Sequence, residues 1–76
     1  MQQLELRLNS DYVELNQLLK LTGVCDSGGA GKALVASGVV AVDGKIELRK
    51  TCKIHAGQKI TIGDLLIYVL PRRSAP

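Results

Sequence analysis

Residues 26–38 read DSGGAGKALVASG, and the first half holds the residue types of an anion site: Ser27, then Gly28, Gly29 and Gly31, then Lys32. Free backbone N–H groups at the start of a helix point toward an anion, and the helix dipole assists. Glycines there let a phosphate approach with no β-carbon in the way, and Lys32 follows about one turn later. The nucleotide-binding P-loop, which the stretch superficially matches, does not fit. That loop needs G-x-x-x-x-G-K and then Ser or Thr. Here the position five before Gly31 is Asp26, and Ala33 follows Lys32. Inside a helix each glycine costs roughly 1 kcal/mol relative to alanine. Two readings of that cost stand open: backbone access for a phosphate, or close packing of this helix against another.

A second basic element follows at 45–59, KIELRKTCKIHAGQK, where Lys45, Arg49, Lys50, Lys53 and Lys59 face Glu47 alone. Such runs are commonly solvated faces, but one placed beside a glycine-rich helix start raises the case for phosphate binding. The charge is unevenly spread. Residues 1–31 carry a net −2 and residues 32–76 a net +5, which sum to the chain's +3. A basic half suits a polyanionic partner.

Other reactive residues are sparse. His55 is the only histidine, and nothing near it in sequence supplies a nucleophile or an orienting acid. Cys25 and Cys52 are far apart, with neither a C-x-x-C pair nor a zinc-ligand cluster, so no metal or cofactor is expected. Cys25 precedes a helix start, where the positive dipole end can lower a thiol pKa. A small, half-buried apolar role is the blander alternative for it.

These residues need a scaffold, and 76 residues allow one domain. LELRL at 4–8 alternates like a half-buried strand. Asp11 and Glu14 suggest an acidic capping box opening a helix over 12–22, which Gly23 closes. A second helix is expected over 28–37, with Ala30, Ala33, Leu34 and Ser37 on one face and Gly38 as its stop. VVAVDGKIELR at 39–49 reads as a hairpin. A two-residue Asp43-Gly44 turn would pair Val42 with Lys45. A three-residue loop pairs Val40 with Ile46, keeps Leu48 on their side, and sends Lys45, Glu47 and Arg49 outward; the apolar pattern favours it. KITI at 59–62 and LLIYVL at 65–70 flank Gly63-Asp64 as a second hairpin, and residues from 68 onward could pair at an open sheet edge. PRRSAP at 71–76 reads as a flexible tail after a single domain over 1–70. There is no basic-then-apolar leader, and LLIYVL is too short to span a bilayer, so a cytoplasmic protein with reduced thiols and no membrane partner is expected.

The order of these elements resembles a known family. ELNQLLKLTGV followed by DSGGAGKALVASGVVAVDGKIEL is similar to the RNA-binding domain of small-subunit ribosomal protein S four, the αL motif. Leu15, Leu18, Gly23, Ser27, Lys32, Leu34, Val35, Gly38, Val40, Val42, Asp43 and Gly44 fall in register with the family pattern, over about residues 14–60. Among its members the chain is most like the small stand-alone bacterial proteins of the YbcJ type. In those a Gly-Gly pair follows the serine and an Arg-Lys-x-x-Lys run follows the hairpin, here Gly28-Gly29 and Arg49 to Lys53. The resemblance implies an α+β fold, two short helices packed on a small, mostly antiparallel sheet, that binds structured RNA such as ribosomal or transfer RNA. It implies contacts by Lys32, Lys45, Arg49, Lys50 and Lys53, to which the anion-site reading of the helix start adds Ser27, Gly28 and Gly29. Three family positions differ. The usual arginine after the serine is Gly28, the usual alanine is Gly31, and the usual Gly-Asp near the domain end is Gly57-Gln58.

The expectation is therefore a non-enzymatic, monomeric RNA-binding protein without a small-molecule substrate, reading phosphates and shape. Single-strand binders commonly stack bases on aromatic rings. This chain has only Tyr12 and Tyr68. Two alternatives remain at this stage: a protein-interaction module that sets its basic face on an acidic partner, and a thiol sensor built on Cys25.

Overall fold

The computed structural model describes residues 2–72. In chain order these form β1 (Gln2–Arg7), β2 (Val13–Glu14), α1 (Leu15–Leu21), α2 (Gly28–Ala36), β3 (Val40–Val42), β4 (Lys45–Ile46), β5 (Lys53–Ile54), β6 (Lys59–Ile62) and β7 (Leu65–Leu70). The larger sheet runs β1-β7-β6-β3-β4, and β2 with β5 makes a separate two-stranded ribbon. All pairs are antiparallel except β1 with β7. The fold is α+β, as expected. Leu15, Leu18 and Leu19 of α1 and Val35 of α2 are buried in one cluster with Val40, Ile54, Ile60, Ile67 and Val69.

The second hairpin has the expected register, with Ile62 opposite Leu65 across Gly63-Asp64. The edge does not. β7 lies between β1 and β6, so its residues from 68 onward offer no open edge, and β1 and β4 are the outer strands. A parallel partner from the opposite end of the chain leaves no local signature. Residues 73–76 of the expected tail lie outside the described residues. Its first residue is tied back, because Arg7 donates to the Pro71 carbonyl at 2.9 Å.

The first helix begins three residues later than expected. Val13 and Glu14 pair with Ile54 and Lys53, so the capping box is replaced by a strand, and Glu14 makes no side-chain cap. The orphan amides of the helix start find other acceptors. Leu15 N–H donates to the Cys52 carbonyl at 2.9 Å and Asn16 N–H to that of Lys50 at 3.1 Å.

In α2 the buried stripe also differs. Ala30, Ala33 and Ser37 are exposed, while Gly31 and Val35 are buried and Gly28 and Leu34 half-buried. A β-carbon on Gly31 would stand 2.5 Å from the Asn16 carbonyl oxygen, closer than real atoms come. Glycine therefore forms part of the packing face, and counting only apolar side chains turns the helix the wrong way. Close packing against α1 accounts for Gly31.

The first hairpin takes the two-residue turn, with Val42 opposite Lys45 and Ala41 opposite Ile46. Asp43 and Gly44 have φ of 52° and 87°, the doubly left-handed turn whose twist matches that of the flanking strands. Asp43 accepts from the Lys59 N–H at 3.0 Å and from Gln58 Nε2 at 3.2 Å, fastening the turn to β6. Ile46 and Leu48 consequently face solvent, and Glu47 is the partly covered residue between them. Turn geometry outweighed the burial of two aliphatic side chains.

Candidate nucleic-acid interface

Helix α1 anchors both basic elements. Its first two amides hold the carbonyls of Lys50 and Cys52, which fixes the loop between β4 and β5 against the helix start. Its Asn16 backbone also receives Gly31, which brings α2 within van der Waals reach. The two elements are thus docked on neighbouring residues, and their cations emerge together. Lys32, Arg49, Lys50, Thr51, Cys52 and Lys53 line one open depression of about 780 Å³. Lys45 and His55 join Arg49 and Lys53 around an adjoining one. Five of the eight expected contact residues, Lys32, Lys45, Arg49, Lys50 and Lys53, lie on this continuous surface.

The other three stand at the α2 start, outside the lining of both depressions. Ser27 caps the helix, its hydroxyl accepting from Ala30 N–H at 3.1 Å. Gly31 N–H bonds the Ser27 carbonyl. Gly28 lies against α1, where a β-carbon would meet the Gln17 side-chain amide at 2.9 Å. Gly29 is exposed, and a β-carbon there would find only Ser27 Oγ, at 3.9 Å. Backbone access is therefore a property of Gly29 rather than of all three glycines.

Within the basic surface one ion pair sets the electrostatics. Arg49 Nε and Nη2 donate to the two oxygens of Glu47, each at 3.0 Å, and Arg49 N–H adds a bond to Oε2 at 2.9 Å. These bonds to the guanidinium and the amide hold the Glu47 carboxyl down to about 2. The arginine is correspondingly raised. The fork remains open to solvent, with 77% of the Arg49 side chain exposed against 17% for Glu47. Arg49 is thus preset in orientation but partly neutralised, while Lys32 and Lys50 have no carboxylate partner among the described ion pairs.

The thiols move away from reactivity. Burial, and then the adjacent Asp26 carboxylate, pushes Cys25 up, so the expected dipole effect does not prevail. Burial also raises Cys52, with Glu47 adding to it. Among the described residues no His, Cys, Asp and Glu side chains group as metal ligands. Among the described residues no helix is long and apolar enough to cross a membrane.

Sequence reasoning missed a second feature of this face. Tyr12 just before β2 and His55 just after β5 bring their ring centroids to 6.0 Å. Lys53 Nζ lies 5.0 Å from the Tyr12 centroid. Only a paired Val13-Glu14 would have revealed it, and two residues are too few for a strand period.

The S4 domain family model matches residues 6–70. The chain belongs to the S4 domain family. Within it the chain is similar to YbcJ of Escherichia coli (strain K12) and YbcJ of Shigella flexneri. Each is 46% identical over 59 residues, covering 78% of this chain and 84% of the relative. It is also similar to the solution structure of E. coli YbcJ, described as revealing an αL motif involved in RNA-binding. That match has a TM-score of 0.65 and 41% identity, over 92% of this chain and 87% of the other. The two helices of this S4 domain and the mostly antiparallel sheet beneath them follow the αL arrangement.

Proposed function

We propose that this S4 domain protein binds structured RNA, without a chemical step, through its basic surface. The observation that carries the reading is the meeting of Lys32 from α2 with Arg49 and Lys50 from the β4–β5 loop and Lys53 from β5 around one depression. Lysines and arginines so grouped suit the closely spaced phosphates of a folded RNA, and the involvement in RNA-binding described for the YbcJ αL motif points the same way. Lys32, Lys45, Arg49, Lys50 and Lys53 make the phosphate contacts. Gly29 offers its amide at the start of α2. Ser27 and Gly28 act indirectly, by capping that helix and letting it seat on α1.

Ribosomal and transfer RNA are the substrates to try first. Binding of this kind releases counterions, so affinity falls steeply as salt rises. Titration of the protein against both RNAs at two salt concentrations tests the reading. Salt-sensitive binding that Lys32→Ala weakens is the expected result, and affinity indifferent to salt contradicts it.

A further inference from the structure

We propose that the outward face of the β2–β5 ribbon is a base-binding subsite, where Tyr12 and His55 receive one unpaired nucleobase and Lys53 takes the phosphate beside it. The proposal rests on the RNA-binding reading above and adds a specificity that phosphate contacts lack. Direct cross-strand partners project from the same face. Val13 and Ile54 pack toward the core, Ile54 being fully buried, whereas Tyr12, Glu14, Lys53 and His55 at and beside the ribbon are exposed.

The two rings are tilted by 50° at 6.0 Å, so they do not stack flat on each other. Tyr12 is 39% exposed, whereas Tyr68 is a half-buried residue of the interior strand β7. A ring that packs into no core, next to a second ring, offers apolar faces to a nucleobase. The backbone of each is fastened by a side chain. Ser10 Oγ donates to the Tyr12 carbonyl at 2.9 Å, and His55 N–H donates to Gln58 Oε1 at 2.7 Å.

Lys53 links the rings to the phosphate surface. It lines both depressions, and its ammonium caps the Tyr12 ring at 5.0 Å. An exposed cation–π contact is weak enough to exchange. The base takes the place of the ammonium on the ring, and the ammonium swings to the phosphate of the same nucleotide. An RNA duplex whose backbone lies along Lys32 and Lys50 could then present a bulged nucleotide to the ribbon.

The test compares a blunt RNA duplex with the same duplex carrying one bulged adenosine, by titration with the full chain. Base stacking on an aromatic side chain predicts a preference for the bulge of at least about fivefold. Tyr12→Leu should abolish that preference and leave affinity for the blunt duplex unchanged, while Tyr12→Phe keeps it. His55→Ala should reduce it, and serves as the second variant if Tyr12→Leu does not fold. Lys50→Ala should weaken both RNAs equally. No preference in the wild type, or a preference surviving both Tyr12→Leu and His55→Ala, overturns the subsite while leaving the phosphate reading intact. Failure to bind either duplex overturns both.

Discussion

Arg49 is the residue whose role changes most once its surroundings are known. Counted from the sequence it is one cation among five. In the structure its fork is clamped by Glu47, so its net contribution to an approaching phosphate is smaller than that of Lys32 or Lys50. Three outcomes follow. Glu47→Gln removes a negative charge beside the depression and should tighten RNA binding severalfold. Arg49→Ala should weaken it about as much as the loss of a lone cation, because an unpaired carboxylate is left facing the phosphate; equilibrium titration of both variants checks these directions. The pair also sets an acid limit. Glu47 has its folded pKa depressed to about 2, so its contribution to stability is full above the ordinary glutamate value and is lost as pH falls toward about 2. Thermal melts between those limits should decline less steeply for Glu47→Gln. For Cys25 the raised pKa predicts alkylation with a midpoint above that of free cysteine, about 8.5; a lower midpoint would revive the thiol sensor.

Among elements, the glycine-rich start of α2 separates into packing and access. Gly31→Ala drives a methyl group into the α1 backbone and should cost about 1–3 kcal/mol, read by denaturant unfolding. Gly29→Ala meets open space and should melt at or above the wild-type temperature. If its amide faces phosphate, the same variant binds RNA more weakly despite being no less stable. These elements also show what the sequence made legible. The stops at Gly23 and Gly38, the second hairpin, and the helical identity of 28–36 could be read because turn chemistry and capping are local. The start of α1 and the stripe of α2 differ from the sequence reading because each is decided by a remote backbone, the loop at 50–52 and Asn16, whereas the first hairpin's register follows its Asp43-Gly44 turn against the apolar pattern. The five-residue basic surface was foreseen as a charge density, but its Glu47 clamp and its aromatic neighbour depend on that geometry.

Across the whole molecule, the loop at 49–53 and helix α2 arrive on one side because α1 holds both. Positive charge is thus gathered by packing rather than by sequence proximity. Exposed Val39, Ile46 and Leu48 show that the outer aliphatic side chains were not all needed for the core. The most direct test of the shared face is a titration of one structured RNA across a salt series, with the wild type, Lys32→Ala, Lys50→Ala and the double variant, each shown to be folded. Every lysine lost should lower affinity and flatten the dependence of log K on log salt by roughly one unit. A folded double variant with the affinity and salt slope of the wild type would contradict the account.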